Sequence, residues 1–490
     1  MSAPPPFQQV HAPLAHWAAQ RPGAIALAHE TGHLTFAELH ARVQQRAQAL
    51  QAAQAPATVL LSGALGVVET LVEFLGVLAS GRCAAIGDPA WPAPIATSVQ
   101  AAIGALPPLA PTAPGLAPFY IGFTSGSTGM PKGFRRHHQS WVESFRVSQH
   151  DFGTAMAGRI VAPGSMTHSL FLFGAMLGLW TGAGSVVQAH FSAERTLHDL
   201  ASAPDAVLVA VPSQLLLMLQ LAQRRHCAAV PQVRLVLISG ARWMREHTPA
   251  LRRLFPAARI VEFYGASEAS YVAWMDASED APPQAVGRPF SNVALRIGDH
   301  PHTPVPQGET GRIWMRSPML FMDYVHAIDG SAAVQEDCWL SVRDMGWLDA
   351  QGLLHLCGRE SRMLVTQGKN LFPEEVEARL LAHPAIAQAS VLGLPDPLRG
   401  MRVHAVLAAA PGQTLPNGLA LAQWCRHTLE AYKAPRQWWL WHGPWPHTRS
   451  GKTDHTALAA ALAAAVRPHL AQPSGHGTPP SEAAGLYAWR

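Results

Sequence analysis

Between residues 200 and 265 short β-rich runs alternate with helical segments, which restricts the chain to a sheet covered by helices. AVLVAV (Ala206 to Val211) reads as a buried strand, and Pro212 and Ser213 open a leucine-periodic helix to about Ala222. VRLVLIS (Val233 to Ser239) predicts a second strand that Gly240 ends; a helix over roughly Met244 to Leu254 and a third strand, ARIVEFYG, follow. The segments Thr58 to Ser62 and Gly66 to Ala79 repeat the same order of strand, then helix. The expected class is α/β, with functional groups on the loops at strand ends.

Composition narrows the function classes. Of 490 residues, 48% are hydrophobic and 14% charged, which fits a large buried core and excludes a disordered or polyelectrolyte chain. Lysine plus arginine total 36 against 32 acidic residues, and a net charge of +4 is too small an excess to indicate nucleic-acid binding. Cys83, Cys227, Cys338, Cys357 and Cys425 are odd in number, scattered and free of any C-x-x-C pair, so neither a disulfide framework nor a structural zinc site is expected. The start, MSAPPPFQQVHAPLAHW, lacks a cationic stretch followed by an apolar run; no signal peptide and a cytoplasmic location are expected. The uncharged stretch SLFLFGAMLGLWTGAGSVVQA after His168 has membrane-spanning length, but it carries four glycines plus Ser, Thr and Gln. It predicts a buried helix running into a strand, without stable membrane insertion.

Proline-rich loops at Ala105 to Pro118 and Ala281 to Pro289 read as surface connections inside one large unit. After about Gly358 the character changes to a charged segment, a helix starting near Pro373, strands ASVLGLP and HAVLAAA, and a helix around Leu419 to Leu429. The expected organisation is a large N-terminal domain of helix-covered β-sheets over 1–359, a junction at 360–362, and a small α+β domain over 363–462. Beyond Asp454 an Ala-rich helix is expected, then a weakly ordered tail, with 463–490 assigned to the tail.

Four segments can carry chemistry. TSGSTGMPKG (Thr124 to Gly133) follows the apolar run FYIGF, and a strand entering a loop this rich in Gly, Ser and Thr presents N–H groups and hydroxyls suited to phosphate oxygens. Pro131 and Gly133 flank Lys132, so this is not a Walker A loop, and composition alone also permits a flexible polar loop. EFYGASEAS (Glu262 to Ser270) offers Tyr264 to stack on a purine and Glu268 to hold Mg²⁺, or else it is a strand end with a solvated glutamate. RDMGWLDAQGLLHLCGRESR puts Asp344 before and Arg359 after a hairpin, where a carboxylate can take two ribose hydroxyls and an arginine can bridge ribose and phosphate. PHTRSGKTD places Lys452 on a short polar turn. Taken singly, the residues of the last two are more often surface charges.

In this order and spacing the four segments resemble the adenylate-forming superfamily of acyl-CoA synthetases, nonribosomal-peptide adenylation domains and luciferases. RPGAIALAHETGHLTFAELHARVQQRAQAL, GETGRIWMRSPMLFMDY, GRESRMLVTQGKNLFPEEVEARL, VLGLPDPLRG and LEAYKAPR are similar to further signatures of that family, so the resemblance covers almost the whole chain.

The resemblance implies MgATP-dependent activation of a carboxylic acid to an acyl-adenylate, then transfer of the acyl group to a thiol. By position, Thr124, Ser125, Gly126, Ser127, Thr128, Gly129 and Lys132 hold the β- and γ-phosphates, with Thr124 and Glu268 near Mg²⁺. Gly240, Ala241 and Tyr264 are implied to frame adenine, Gly265, Ala266 and Ser267 to belong to the same ATP- or AMP-binding set, Asp344 and Arg359 to hold the ribose, and Lys452 to bridge the carboxylate and the α-phosphate. The small domain is implied to rotate after adenylation, opening a thiol tunnel at Gly368. The family's hinge Asp or Lys falls on Ser361, with Arg362 as a substitute pivot. His168, Ser169, Phe173 and Phe263 are implied to line the acyl pocket; helical spacing explains Phe171, Phe173, Met176 and Trp180 equally as core. Ser169 stands where amino-acid-activating relatives carry aspartate, which argues for an aliphatic or aromatic acid. The acceptor is CoA, or the phosphopantetheine of an acyl carrier protein, or another nucleophile; a nucleotide-binding protein without turnover is the reading from another class.

Overall fold

A computed structural model describes residues 7–110, 112–125, 131–282, 284–326, 332–448, 452–470 and 486–489. The chain forms two compact units, the first made of Met1–Glu309, Ile313–Val342 and Leu348–His355, the second of Thr310–Arg312, Arg343–Trp347 and Leu356–Arg490.

Unit 1 contains the alternation read from the sequence. Ala206–Ala210, Val233–Ile238 and Arg259–Ala266 are neighbouring parallel strands, extended on one side through Ile160–Ala162, Ser185–Val187 and Ile25–His29. Parallel strands covered on both faces need continuous apolar runs, and all five residues of AVLVA are buried. Leu208, Val236 and Ile238 pack there with Leu215 and Met218 of the helix Pro212–Arg225 and Leu251 of the helix Thr248–Leu254. Burying each such side chain contributes about 1.5–3 kcal/mol. The last helix starts four residues later than the pattern predicts. Arg245–His247 forms a separate 3₁₀ turn, and a proline in the first turn sets the α-helical start. Beyond Arg259–Ala266 the sheet becomes antiparallel through Ser270–Asp276 and Ala285–Pro289. A five-stranded sheet in the same unit runs in the order Asp323–His326, Pro131–His137, Pro118–Ser125, Cys83–Ile86, Thr58–Leu61.

The apolar stretch after His168 divides into the helix Ser169–Thr181, nine of whose residues are buried, and the strand Ser185–Val187. Gly182 caps the helix in the left-handed region at φ +75°, where a Cβ would strike Trp17 and Arg21. Among the described residues no helix is long and apolar enough to cross a membrane.

Unit 2 is built on the long antiparallel pair Ile386–Asp396 and Gly400–Ala409, flanked by Leu364–Thr366 and Gln437–Trp441. The helices Pro373–Leu381 and Gly418–Arg426 cover it through Val376, Leu380, Leu421 and Cys425. Gly311 and Arg312 belong here because they pair with Gly346 and Met345.

The Ala-rich helix expected after Asp454 is His455–Leu470, which runs past the boundary drawn at 463, and the expected weakly ordered tail is corrected at its end, where Leu486–Trp489 forms an antiparallel strand on Gln437–Trp441; 471–485 lie outside the described residues. Leu486 is buried with Trp439, Leu458 and Leu462, and the Trp489 indole donates to the Pro416 carbonyl at 2.8 Å. Four apolar or aromatic residues behind a long polar run were hidden by its average composition.

Candidate active site

In unit 1 two paired strands flank the segment expected to hold the phosphates. Pro118–Ser125 and Pro131–His137 pair antiparallel with Thr124 directly opposite Lys132, so both project to one face of the sheet. Gly126, Ser127, Thr128 and Gly129 lie outside the described residues, as does the Ser125 side chain. Lys132, 7% exposed, shares its face with Phe134 and Arg136 by the two-residue period of a strand. A side chain at Gly122 would collide with Phe134 and the Tyr120 hydroxyl, so only glycine permits that packing.

Ser239 and Gly240 end the strand Val233–Ile238, and Gly240 takes φ +85° with its Cβ direction 3.1 Å from Val211. Tyr264, Gly265 and Ala266 finish Arg259–Ala266, where the register shifts by a bulge. At Gly265 a Cβ would lie 2.2 Å from the Ser270 carbonyl oxygen. The chain then turns through Ser267 to Ser270 and presents Glu268. The Tyr324 hydroxyl donates to Glu268 Oε1 at 2.7 Å, and the Phe321 N–H donates to the Glu268 carbonyl at 2.7 Å.

The residues expected to line the acyl pocket meet a cluster of aromatic rings. Phe173 contacts Trp141 (5.3 Å between ring centroids), Phe145 (4.9 Å) and Tyr271 (5.4 Å), and Phe263 contacts the same Tyr271 at 4.9 Å. Ser169 Oγ lies 3.1 Å from the hydroxyl of Tyr120, a buried phenol whose pKa burial pushes up to about 12. His168 is exposed and sets its ring against Phe171 at 6.4 Å; burial of the ring nitrogens lowers its pKa, with Asp88 opposing. Phe171, Met176 and Trp180 are buried, as core packing requires.

Unit 2 gathers three of the expected residues. Asp344 is the first residue of the strand Asp344–Leu348 and Arg359 the last of Leu354–Arg359, so both belong to the hairpin rather than flanking it. Arg359 Nε lies 3.1 Å from Asp344 Oδ1; the carboxylate is buried and the guanidinium exposed. The Thr448 N–H donates to the Lys452 carbonyl at 2.6 Å, and His447 pairs with Thr453. The Lys452 side chain keeps an exposed surface, yet surrounding protein lowers the ammonium pKa. The Arg359 charge adds to that shift and Asp344 opposes it.

Ser361 and Arg362 lie in the 3₁₀ turn Glu360–Arg362. Glu360 accepts from Arg312 at 2.6 Å and from Arg343 at 3.0 Å. Arg362 is tied to Glu374 (3.1 Å), Glu377 (2.6 Å) and the Val391 carbonyl (3.3 Å), while the intervening Ser361 is exposed. The carboxylates of Glu377 and Glu374 raise the Arg362 pKa against the opposing effect of burial. Arg362→Ala would strand both carboxylates and should destabilise unit 2 by about 3 kcal/mol, read as a lower unfolding midpoint in calorimetry of the full chain. An unchanged midpoint would reject the clamp. Gly368 is the second central residue of a two-residue turn between Leu364–Thr366 and Lys369–Leu371. Gln367 at φ 54° and Gly368 at φ 72° give it the type I′ form.

Arg136 and Tyr324 are the site residues sequence reasoning missed. A period-two reading of PKGFRRH offered a signal, since it puts Arg136 on the inward face of Lys132 and Phe134 and leaves Arg135 to pair with Asp323 at 2.9 Å. No sequence signal ties Tyr324 to Glu268, 56 residues away.

The profile for "AMP-binding enzyme" matches residues 96–325, and that for "AMP-binding enzyme C-terminal domain" matches 375–452. The acyl-CoA ligase YhfT of Bacillus subtilis, named as uncharacterized, is 36% identical over 352 residues, 71% of this chain and 70% of YhfT. The chain belongs to the AMP-binding enzymes. An indoleacetate–CoA ligase of Aromatoleum aromaticum is 32% identical over 336 residues, 65% of this AMP-binding enzyme and 62% of the relative. The crystal structure of ATP-bound MatB from Rhodopseudomonas palustris superposes with a TM-score of 0.79 at 21% identity, covering 93% of this chain and 99% of MatB, which is a likeness of fold.

Proposed function

We propose that this AMP-binding enzyme is an acid:CoA ligase that consumes ATP and forms AMP. The observation that carries the reading is the grouping of Lys452 with the Arg359–Asp344 pair in unit 2, a cation of lowered pKa near a buried carboxylate. In the first step a substrate carboxylate oxygen attacks the α-phosphorus of ATP, the bond to the bridging oxygen of the β-phosphate breaks, and pyrophosphate leaves. Negative charge grows on the α-phosphoryl oxygens, and Lys452 placed there stabilises it. Lys132, opposite Thr124 at the mouth of its hairpin, holds the leaving phosphates, while Tyr264 and Gly240 frame the base. In the second step the thiol sulfur of CoA bonds to the acyl carbon, the carbon–oxygen bond to AMP breaks, and the thiol proton goes to solvent.

The residues present fit Mg²⁺ shared with a polyphosphate. Among the described residues no three His, Cys, Asp or Glu side chains gather to cage a metal, whereas Glu268 supplies one hard carboxylate held by Tyr324. Glu268 and Thr124 would hold the ion, which when bound neutralises the triphosphate charge.

Phe173, Phe263 and Tyr271 support an aliphatic or aromatic acyl group, and Ser169 leaves no carboxylate at that position to take an α-amino group. The reading also makes residues 363–462 the mobile domain of a cytoplasmic enzyme. The test is ATP-dependent pyrophosphate release across a panel of fatty, aryl and amino acids, each with and without CoA. Strong CoA-dependent turnover with one class of non-amino acid is the expected result. Release that ignores CoA would reject the ligase and redirect attention to a carrier protein or another nucleophile.

A further inference from the structure

Arg136 is 1% exposed, and its guanidinium reaches three separate segments of unit 1. Nε donates to Ser140 Oγ at 3.2 Å, Nη1 to the Ser267 carbonyl at 2.6 Å, and Nη2 to Ser270 Oγ at 2.6 Å and the Met319 carbonyl at 2.5 Å. Ser267 and Ser270 bracket Glu268, and Met319 begins the approach to Phe321 and Tyr324, which hold the same glutamate from its other side. The turn is therefore gripped at both flanks by one rigid planar group. Burying a guanidinium carries a desolvation cost of several kcal/mol, and an apolar side chain would fill the volume without it. What arginine adds is a fork of fixed geometry whose hydrogen bonds set where neighbouring atoms sit.

We infer that Arg136 is a positioning residue: by joining the Ser267 carbonyl and the Ser270 hydroxyl it fixes the Glu268 carboxylate in the orientation that receives the divalent cation with ATP. This rests on the reading of Glu268 as the metal-facing carboxylate. The outer hydrogen-bond partners of metal-binding groups set metal affinity because a ligand free to swivel must be ordered anew at each binding event.

The test is Mn²⁺ binding to the full chain with a non-hydrolysable ATP analogue, read from the loss of the free-ion signal in electron paramagnetic resonance. Arg136→Met should weaken Mn²⁺ binding by roughly 10- to 100-fold. Arg136→Lys, which keeps the charge and loses the fork, should fall between it and the parent. Affinity for the analogue measured in EDTA should stay unchanged in both. Ser270→Ala deletes one acceptor and should weaken Mn²⁺ binding by roughly fivefold even where Arg136→Met fails to fold. Leu251→Ala removes a core side chain and should lower the unfolding midpoint without moving Mn²⁺ affinity. Unchanged Mn²⁺ affinity in Ser270→Ala and in folded Arg136 variants, alongside a loss in Glu268→Gln, would overturn the positioning role alone. An equal loss in Leu251→Ala would overturn it too, by showing that general destabilisation suffices. Unchanged binding in Glu268→Gln would overturn the metal assignment and the role of Arg136 together.

Discussion

Replacing Lys452 with alanine should lower carboxylate-dependent ATP–pyrophosphate exchange by roughly 10²–10³-fold, the usual loss when one donor aimed at developing negative charge is removed. The loss should fall on kcat, because the lysine interacts more strongly with the transition state than with bound ATP. Thioester formation from a supplied acyl-adenylate should survive, since that step breaks a carbon–oxygen bond and leaves the phosphorus untouched. The pH profile gives a second readout. Burial and Arg359 lower the ammonium pKa below the ordinary 10.5, with Asp344 opposing. The group acts as a cation, so adenylation should be full below the lowered pKa and decline as pH rises through it. That alkaline limb should disappear in Lys452→Ala. Exchange within threefold of the parent would remove Lys452 from the adenylation step.

Gly368→Trp should separate the two half-reactions in the opposite sense. Gly368 has φ +72°, and nothing lies within 4 Å of where its Cβ would be, so an added side chain has room here but takes a strained backbone. If this turn borders the thiol path during thioester formation, a tryptophan obstructs it. Overpacking of about 1–3 kcal/mol corresponds to a roughly 5- to 150-fold slower thiol step. Pyrophosphate exchange should change little. Gly368→Ala carries the same backbone strain with a single methyl and should keep most of the thiol step. Equal loss of exchange and thioester formation in the tryptophan variant would reject the thiol-path assignment.

Much of the architecture was legible because it rests on local periodicity. AVLVA, VRLVLI and RIVEFYGA show the unbroken apolar or branched runs that parallel strands require, and Gly240 marks a strand end by its left-handed φ. The motif segments drew attention because a few residue types at set spacings answer to one chemistry, and unit 2 brings Asp344 and Arg359, 15 residues apart, together with Lys452, 93 residues further on. What could not be read was the partner of each group. Arg362, expected as a pivot, is anchored to Glu374 and Glu377, because a charge that looks solvated in sequence turned inward beside a helix carrying two carboxylates. The strand Leu486–Trp489 escaped notice because its pairing with Gln437–Trp441 is non-local.

The sequence by itself determined the α/β class and the order of elements, since each depends on residue type and on spacing within a few turns or strands. Tertiary structure alone decided that Thr124 stands opposite Lys132, that Tyr324 holds the Glu268 carboxylate, and that Arg136 finds its partners in the Ser267 carbonyl and the Ser270 hydroxyl. The reason is physical. Periodicity determines which face a side chain takes, while its hydrogen-bond partner depends on which distant segment burial brings within about 3 Å.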